Sequence, residues 1–357
     1  MAIFSISHSE SGKKLLTLKS PVDLSHIDTY ECTSSEEISS IMTQAKVAQS
    51  EWKKTTLKER VELMHRVADV VIQQQDRIMD VVMRETGKPE QEAMSMEVFS
   101  AVDSLVFYAK RAQKWLADKK IKMHGPMQFL KKTIITYNPR GVVAVITPWN
   151  GPFILSINPV IQAVLCGNSV VVKPSEVTPM SGALVQEIFA LAEAPEHLVQ
   201  TVIGDGETGA ELIDQGPDKV SFTGSVATGK KIAAKCGEML IPYSLELGGK
   251  DAMIVCSDAD IKDAASGAVD GIIMPVAIDI PCGCMPVSII YPPYCHRRFA
   301  TTGALRISRG ELRTGHGPCG GCGIRSSMNT TGSCPHVSYA GRLMYSCRYD
   351  AGRHSYS

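Results

Sequence analysis

The sequence predicts an α/β fold built on a doubly wound parallel sheet. Three observations carry that expectation. Gly141 to Ile146, Asn168 to Lys173 and Lys219 to Phe222 are short runs rich in β-branched residues, the composition of strands covered on both faces. Each run stops abruptly in a polar or chain-breaking cluster: Thr147-Pro148-Trp149-Asn150, Pro174-Ser175-Glu176 and Thr223-Gly224-Ser225. Helical periodicity fills the gaps between them, as parallel strands need crossover helices.

Taken in order, residues 1–30 give mixed signals and read as an irregular arm with one short strand. Ser34-Ser35-Glu36-Glu37 opens a helix with a capping serine and early acids, and Ile38, Ile41, Ala45 and Ala48 continue it to about Trp52. Residues 57–75 form a second helix, with Leu57, Val61, Met64, Val67 and Val71 on one face. A third, Asp76 to Glu85, is stopped by Gly87 and Pro89. A long helix covers residues 90–117, with Met94, Phe99, Leu105, Tyr108 and Trp115 expected in the core. Residues 126–138 alternate as a strand or hairpin outside the main sheet. Pro152 to Cys166 is apolar nearly all round and so belongs against the sheet. Helices follow at Met180–Ala192, Glu207–Asp214 and Thr228–Gly237, and strands at Leu198–Ile203 and Met253–Val255; Ala259–Val269 reads as a last helix. Beyond Gly271 prolines and glycines break every pattern, and the stretch reads as largely irregular.

At 357 residues the chain suits two domains. A formal net charge of zero offers no general attraction for nucleic acid or an anionic membrane. No apolar run is long enough to span a bilayer and Lys13-Lys14 interrupts the first residues, so the expectation is a cytoplasmic protein with neither partner. Composition changes abruptly near residue 271. Four of the eleven cysteines precede it and seven follow, while all 22 lysines precede it and nine of the fifteen arginines follow. The expected division is therefore residues 1–270 and residues 271–357. A change of reading frame fits these shifts.

Residues just past the strand ends of an open α/β sheet are where ligands bind. A carboxylate at Glu176 can accept hydrogen bonds from both ribose hydroxyls of an adenine nucleotide and repels a 2′-phosphate, which favours NAD over NADP. Gly224 to Lys230 nearly spells a phosphate-binding loop, but Lys231 stands where Ser or Thr would hold magnesium. What remains is a helix start whose free N–H groups suit a pyrophosphate. Cys319-Gly320-Gly321-Cys322 with Cys334 and His336 loosely suggests zinc, yet the second pair lacks ligand spacing, so no metal is expected.

Four motifs, Pro148-Trp149-Asn150, Lys173-Pro174-Ser175-Glu176, Phe222-Thr223-Gly224-Ser225 and Glu246-Leu247-Gly248-Gly249-Lys250, stand in the order and at roughly the spacing of the aldehyde dehydrogenase superfamily, which the chain resembles from about residue 25 to about residue 270. The resemblance implies a Rossmann-like nucleotide-binding domain with N-terminal helices, followed by an incomplete, truncated catalytic domain. It implies an oxidoreductase that converts an aldehyde to a carboxylic acid through a cysteine thioester, with NAD as cofactor and NADP as the alternative. The coenzyme would lie on Ile146, Thr147, Pro148 and Trp149, on Lys173, Ser175, Glu176 and Gly206, on Phe222, Thr223, Gly224 and Ser225, and on Leu247 and Gly248. Asn150 would be the oxyanion amide and Glu246 the general base. Cys282 and Cys284, 36 and 38 residues past Glu246, are the candidate nucleophiles, although the family's flanking glutamine is missing. The family is homo-oligomeric, and its subunit-exchange strand is not found. A nucleotide-binding fragment without turnover is the alternative reading.

Overall fold

The computed structural model describes residues 3–122, 124–125, 129, 131–249, 251–255 and 259–273, with the strand segments Ser288–Ile290, Ala304–Ile307, Ile324–Ser327 and Ser338–Tyr339. The chain forms two compact units, Met1–Leu247 and Gly248–Ser357. The division between them falls before the compositional change at residue 271.

The first unit begins with β1 (Phe4–His8), β2 (Lys14–Lys19) and β3 (His26–Glu31), a three-stranded antiparallel sheet in the order β1-β2-β3. The irregular arm expected here is thus a complete meander. Its strands are mostly polar and half-buried or exposed, and Leu16 and Leu18 on β2 supply the buried contact. Then come α1 (Ser35–Trp52), α2 (Leu57–Gln73) and α3 (Gln75–Thr86). Ser34 and Thr56 cap α1 and α2 through reciprocal capping boxes with Glu37 and Glu59. Gly87, at φ +71°, ends α3 in the left-handed conformation that glycine adopts without a Cβ clash.

The predicted long helix is interrupted. A short α4 (Glu90–Glu92) runs into a π-helical turn, Ala93–Phe99, before α5 (Ser100–Trp115). The core face of α5 is Ala101, Leu105, Ala109 and Ala112. Leu105 is fully buried, and Met94 and Tyr108 pack against the same core. Phe99 and Trp115 do not join it, being 67% and 42% exposed. Phe99 is the last residue of the π turn. Trp115 belongs to a second stripe with Phe107 and Arg111, whose guanidinium stacks 4.4 Å over Phe107 and 5.8 Å from the Trp115 ring. The hairpin outside the main sheet pairs β4 (Lys119–Ile121) with β5 (Thr133–Ile135).

The central sheet follows: β6 (Val142–Ile146), α6 (Ile154–Leu165), β7 (Ser169–Lys173), α7 (Pro179–Leu191), β8 (Val199–Thr201), α8 (Gly206–Asp214), β9 (Lys219–Gly224), α9 (Val226–Glu238) and β10 (Tyr243–Leu247). All five strands are parallel, in the order β10-β9-β6-β7-β8. Alternate residues of β6 feed two cores. Val143 and Val145 join a cluster with α2, α3, α5, α6 and α7, while Val142, Ala144 and Ile146 join one with α1, α8 and α9. Helices therefore cover both faces, which is the doubly wound arrangement. The chain leaves β6 toward β7 and later returns to β9 on the other side of β6. The topological switch point lies between β6 and β9, and there the carboxyl ends part to leave a crevice.

In the second unit, β11 (Asp251–Ile254) pairs in parallel with Ser288–Ile290 and antiparallel with Ser338–Tyr339, and α10 (Ile261–Ile273) follows β11. The strand segments beyond residue 271 are order that composition alone did not predict. Among the described residues no helix is long and apolar enough to cross a membrane.

Candidate functional site

A cleft of about 400 Å3 opens at the carboxyl ends of β6, β7 and β9, at the switch point. This lies within the usual size range of a small-molecule site. β6 delivers Ile146, Thr147, Pro148 and Trp149 to it; β7 delivers Lys173, Ser175 and Glu176; β9 delivers Phe222, Thr223, Gly224 and Ser225; and α8 begins there with Gly206. The sequence nominated all of these. It did not nominate Gly209, Ala210 and Ile213 on α8, or Thr228, Lys231, Ile232 and Lys235 on α9. These lie at three- and four-residue steps along helix faces turned to the cleft, a spacing that points inward only once the helices are placed.

Lys173 is the last residue of β7, and its stem runs beside α8. Its side chain is 4% exposed and its ammonium donates to Glu176 Oε2 at 3.0 Å, with the Glu176 side chain 30% exposed. The strand-end loop is held by a close approach. Gly182 of α7 lies so near Pro174 that a Cβ there would overlap the proline ring. Thr147 N–H donates to the Lys173 carbonyl at 3.1 Å, extending the β6–β7 ladder one step into the site. Its hydroxyl lies 2.9 Å from Ser156 Oγ, which donates to the Pro152 carbonyl at 2.6 Å.

Ser225 is the N-cap of α9, accepting from Thr228 N–H at 3.1 Å. The remaining free N–H groups of this first turn and the helix dipole make it an anion-binding end. Asp205 caps α8 and binds Lys14 of β2 at 2.8 Å, and the same ammonium reaches Glu207 at 2.7 Å. Burial disfavours charge on Lys14, but the hydrogen bonds to Asp205 and Glu207 outweigh it and hold the ammonium above its ordinary pKa. Burial likewise opposes charge on Asp205, and Lys14 outweighs it, holding that carboxyl below the usual range.

Asn150 stands at the turn between β6 and α6, next to the cleft-lining Trp149. Its backbone oxygen accepts from Lys88 Nζ at 2.7 Å, and its side-chain Oδ1 is buried without a hydrogen-bond partner. Behind it Lys88 is ion-paired with Glu97, and Glu97 Oε2 accepts from the N–H groups of Phe153 and Ile154 at 3.1 and 2.9 Å. A second buried carboxylate, Glu85, does the same for α7, accepting from Met180 N–H, Ser181 N–H and Ser181 Oγ. Burial pushes the Glu85 carboxyl up to about 7 against these hydrogen bonds.

Other nominated residues are not brought into the cleft. Glu246 sits on the edge strand β10, in register with Thr223, and is exposed, unlike the buried carboxylate that a general base calls for. Leu247 packs over Gly229 of α9 rather than lining the cleft. Gly248 belongs to the second unit. Cys282 and Cys284, Lys250, and the Cys319–His336 cluster lie outside the described residues.

Does the cleft fit a dinucleotide? A Cβ on Gly206 would meet nothing within 4 Å, so the wall at the α8 start is open, and Lys173 and Glu176 bring a paired cation and acid to the same cleft. An anion-binding helix start, an acid for hydroxyl groups and an apolar floor of Ile213, Phe222 and Ile232 suit a nucleotide.

The sequence matches the profile of the aldehyde dehydrogenase family over residues 7–275. It is 36% identical over 310 residues to 4,4′-diapolycopene aldehyde oxidase of Methylomonas sp, a match that covers 86% of this chain and 57% of that protein. It is 38% identical over 242 residues to a putative succinate-semialdehyde dehydrogenase [NADP(+)] of Mycolicibacterium smegmatis, covering 68% of this chain and 46% of that protein. Among solved structures, the NAD+ complex of an aldehyde dehydrogenase from Bacillus cereus superposes with a TM-score of 0.68 at 28% identity, covering 78% of this chain and 57% of that one. The chain spans about half the length of the curated relatives it matches.

Proposed function

The chain belongs to the aldehyde dehydrogenase family, and on that premise we propose that it binds NAD in the β6–β7–β9 cleft and oxidises an aldehyde to a carboxylic acid. The observation that carries the reading is that the Lys173–Glu176 pair and Ser225 at the α9 start line one cleft. Glu176 Oε2 is engaged by Lys173, which leaves Oε1 for a ribose hydroxyl. The first turn of α9 faces the diphosphate. NADP is the alternative coenzyme: the NAD+ complex and the NADP(+)-named relative both belong among the proteins this chain is similar to. Bound coenzyme supplies a hydride acceptor.

The rest falls to the protein. A cysteine thiolate, from Cys282 or Cys284, adds to the aldehyde carbonyl, and the Asn150 amide donates to the oxyanion that develops. Loss of hydride leaves a thioester on that cysteine. Glu246 takes a proton from the water that cleaves it, releasing the acid and the thiol.

A titration with NAD beside a dehydrogenase assay on a short aldehyde tests the proposal. NAD binding with turnover, lost in Cys282→Ser or Cys284→Ser, supports it; absence of NAD binding overturns it. The exposure of Glu246 favours a second reading, a nucleotide-binding chain without turnover, which predicts NAD binding and no NADH.

A further inference from the structure

We propose that the buried pair Lys88–Glu97 positions the Asn150 amide for the oxyanion, an inference that rests on the role given to Asn150 above. Lys88 and Glu97 are 1% and 0% exposed. Lys88 follows the left-handed Gly87 at the end of α3, and Glu97 comes from the π-helical turn before α5. The two meet beneath the turn between β6 and α6 and hold both ends of it. Lys88 Nζ donates to the backbone oxygen of Asn150 at 2.7 Å, and Glu97 Oε2 accepts from Phe153 N–H at 3.1 Å and Ile154 N–H at 2.9 Å. One ion pair thus fixes the segment from Asn150 to Ile154 from below.

Two further points separate positioning from plain stabilisation. A pair buried this deeply forfeits the hydration of both ions, and apolar residues of similar volume in its place are often no less stable. Its distinctive product is geometry. The Asn150 side chain, moreover, is not fixed through its own oxygen, because Oδ1 is buried without a partner. Its place is set through its backbone, and the backbone is held by Lys88. Glu97 is buried within the π-helical turn, and such turns recur at functional sites.

The test uses the full chain and two variants. Lys88→Met alone leaves the Glu97 charge buried without its cation and is expected to fold poorly. The double variant Lys88→Met with Glu97→Met removes both charges and keeps the volume. With propanal as substrate, the double variant is expected to bind NAD within about twofold of the parent and to keep its aldehyde KM. Its kcat falls on the order of 100-fold, the size expected for a misplaced oxyanion donor. A readout that needs no turnover runs beside it. The chain has five asparagines, so selective 15N-asparagine labelling resolves the Asn150 side-chain amide. That resonance is expected to shift and broaden in the double variant, while the Asn138 and Asn158 amides stay fixed. An unchanged Asn150 resonance, or an unchanged kcat in an active parent, overturns the inference. A parent that binds NAD without turnover while the resonance moves overturns the catalytic reading and leaves the positioning intact.

Discussion

Glu85 Oε2 takes both donors of Ser181, the backbone N–H at 2.8 Å and the hydroxyl at 2.5 Å. Together with Met180 N–H on Oε1, they close the first turn of α7 onto the end of α3. Burial raises this carboxyl from 4.5 to about 7. The folded chain therefore holds the proton more tightly than the unfolded chain does. The stabilisation is fully present below pH 4.5 and is lost as the pH rises through 7, an effect of about 3 kcal/mol across that window. Glu85→Gln, which keeps a neutral side chain there, is expected to flatten the urea-midpoint profile between pH 5 and 7. An unchanged slope would mean that the carboxyl is ionised throughout.

Glu176→Gln removes the acid proposed to read the ribose and frees the Lys173 ammonium. The expected result is about tenfold weaker NAD binding, the loss of one hydrogen bond to a charged group. NADP binding should weaken less or improve, because the repulsion of a 2′-phosphate goes with the acid. Fluorescence titration with the two coenzymes measures both; equal losses would place the adenosine ribose elsewhere.

Lys14→Met cuts β2 from Asp205 and Glu207 at the α8 start. The cost is about 1 kcal/mol for a partly exposed network and should shrink in 1 M salt, where screening weakens the parent's own pairs. Denaturant midpoints at low and high salt show it. A cost independent of salt would point to lost packing of the lysine stem instead.

Two residues of one predicted helix should respond very unequally. Leu105→Ala opens a cavity in the core shared by α2, α5 and α6, at about 2–5 kcal/mol. Phe99→Ser, at a position 67% exposed, is expected within about 0.5 kcal/mol of the parent. Thermal unfolding of the pair checks the placement of the π turn.

The central strands were legible because both their faces are covered. Val142–Ile146 and Ser169–Lys173 carry apolar or small residues on each side, and polar clusters mark their ends. The sites at those ends came with them, since Thr147, Lys173 and Ser225 sit where the chain leaves a strand. The N-terminal meander was not legible, because β3 reads His-Ile-Asp-Thr-Tyr-Glu and draws its stability from partners rather than from its own pattern. The aromatic residues misled for a related reason. Arg111 covers the faces of Phe107 and Trp115 at the surface, so size alone did not make Trp115 a core residue. Nor could spacing show that Lys88 and Glu97 meet under Asn150, 62 residues beyond Lys88 in the chain.

The place of β9 beside β6 has a consequence for synthesis. Val143 pairs with Lys219, although the chain between them must first build α6, β7, α7, β8 and α8. At ribosomal rates of about 5–20 residues per second, the middle strand of the sheet waits roughly 4–15 s for its second neighbour. During that interval one of its hydrogen-bonding margins stands open to other nascent chains, and binding of a chaperone to that margin would leave its mark on yield before it did on stability.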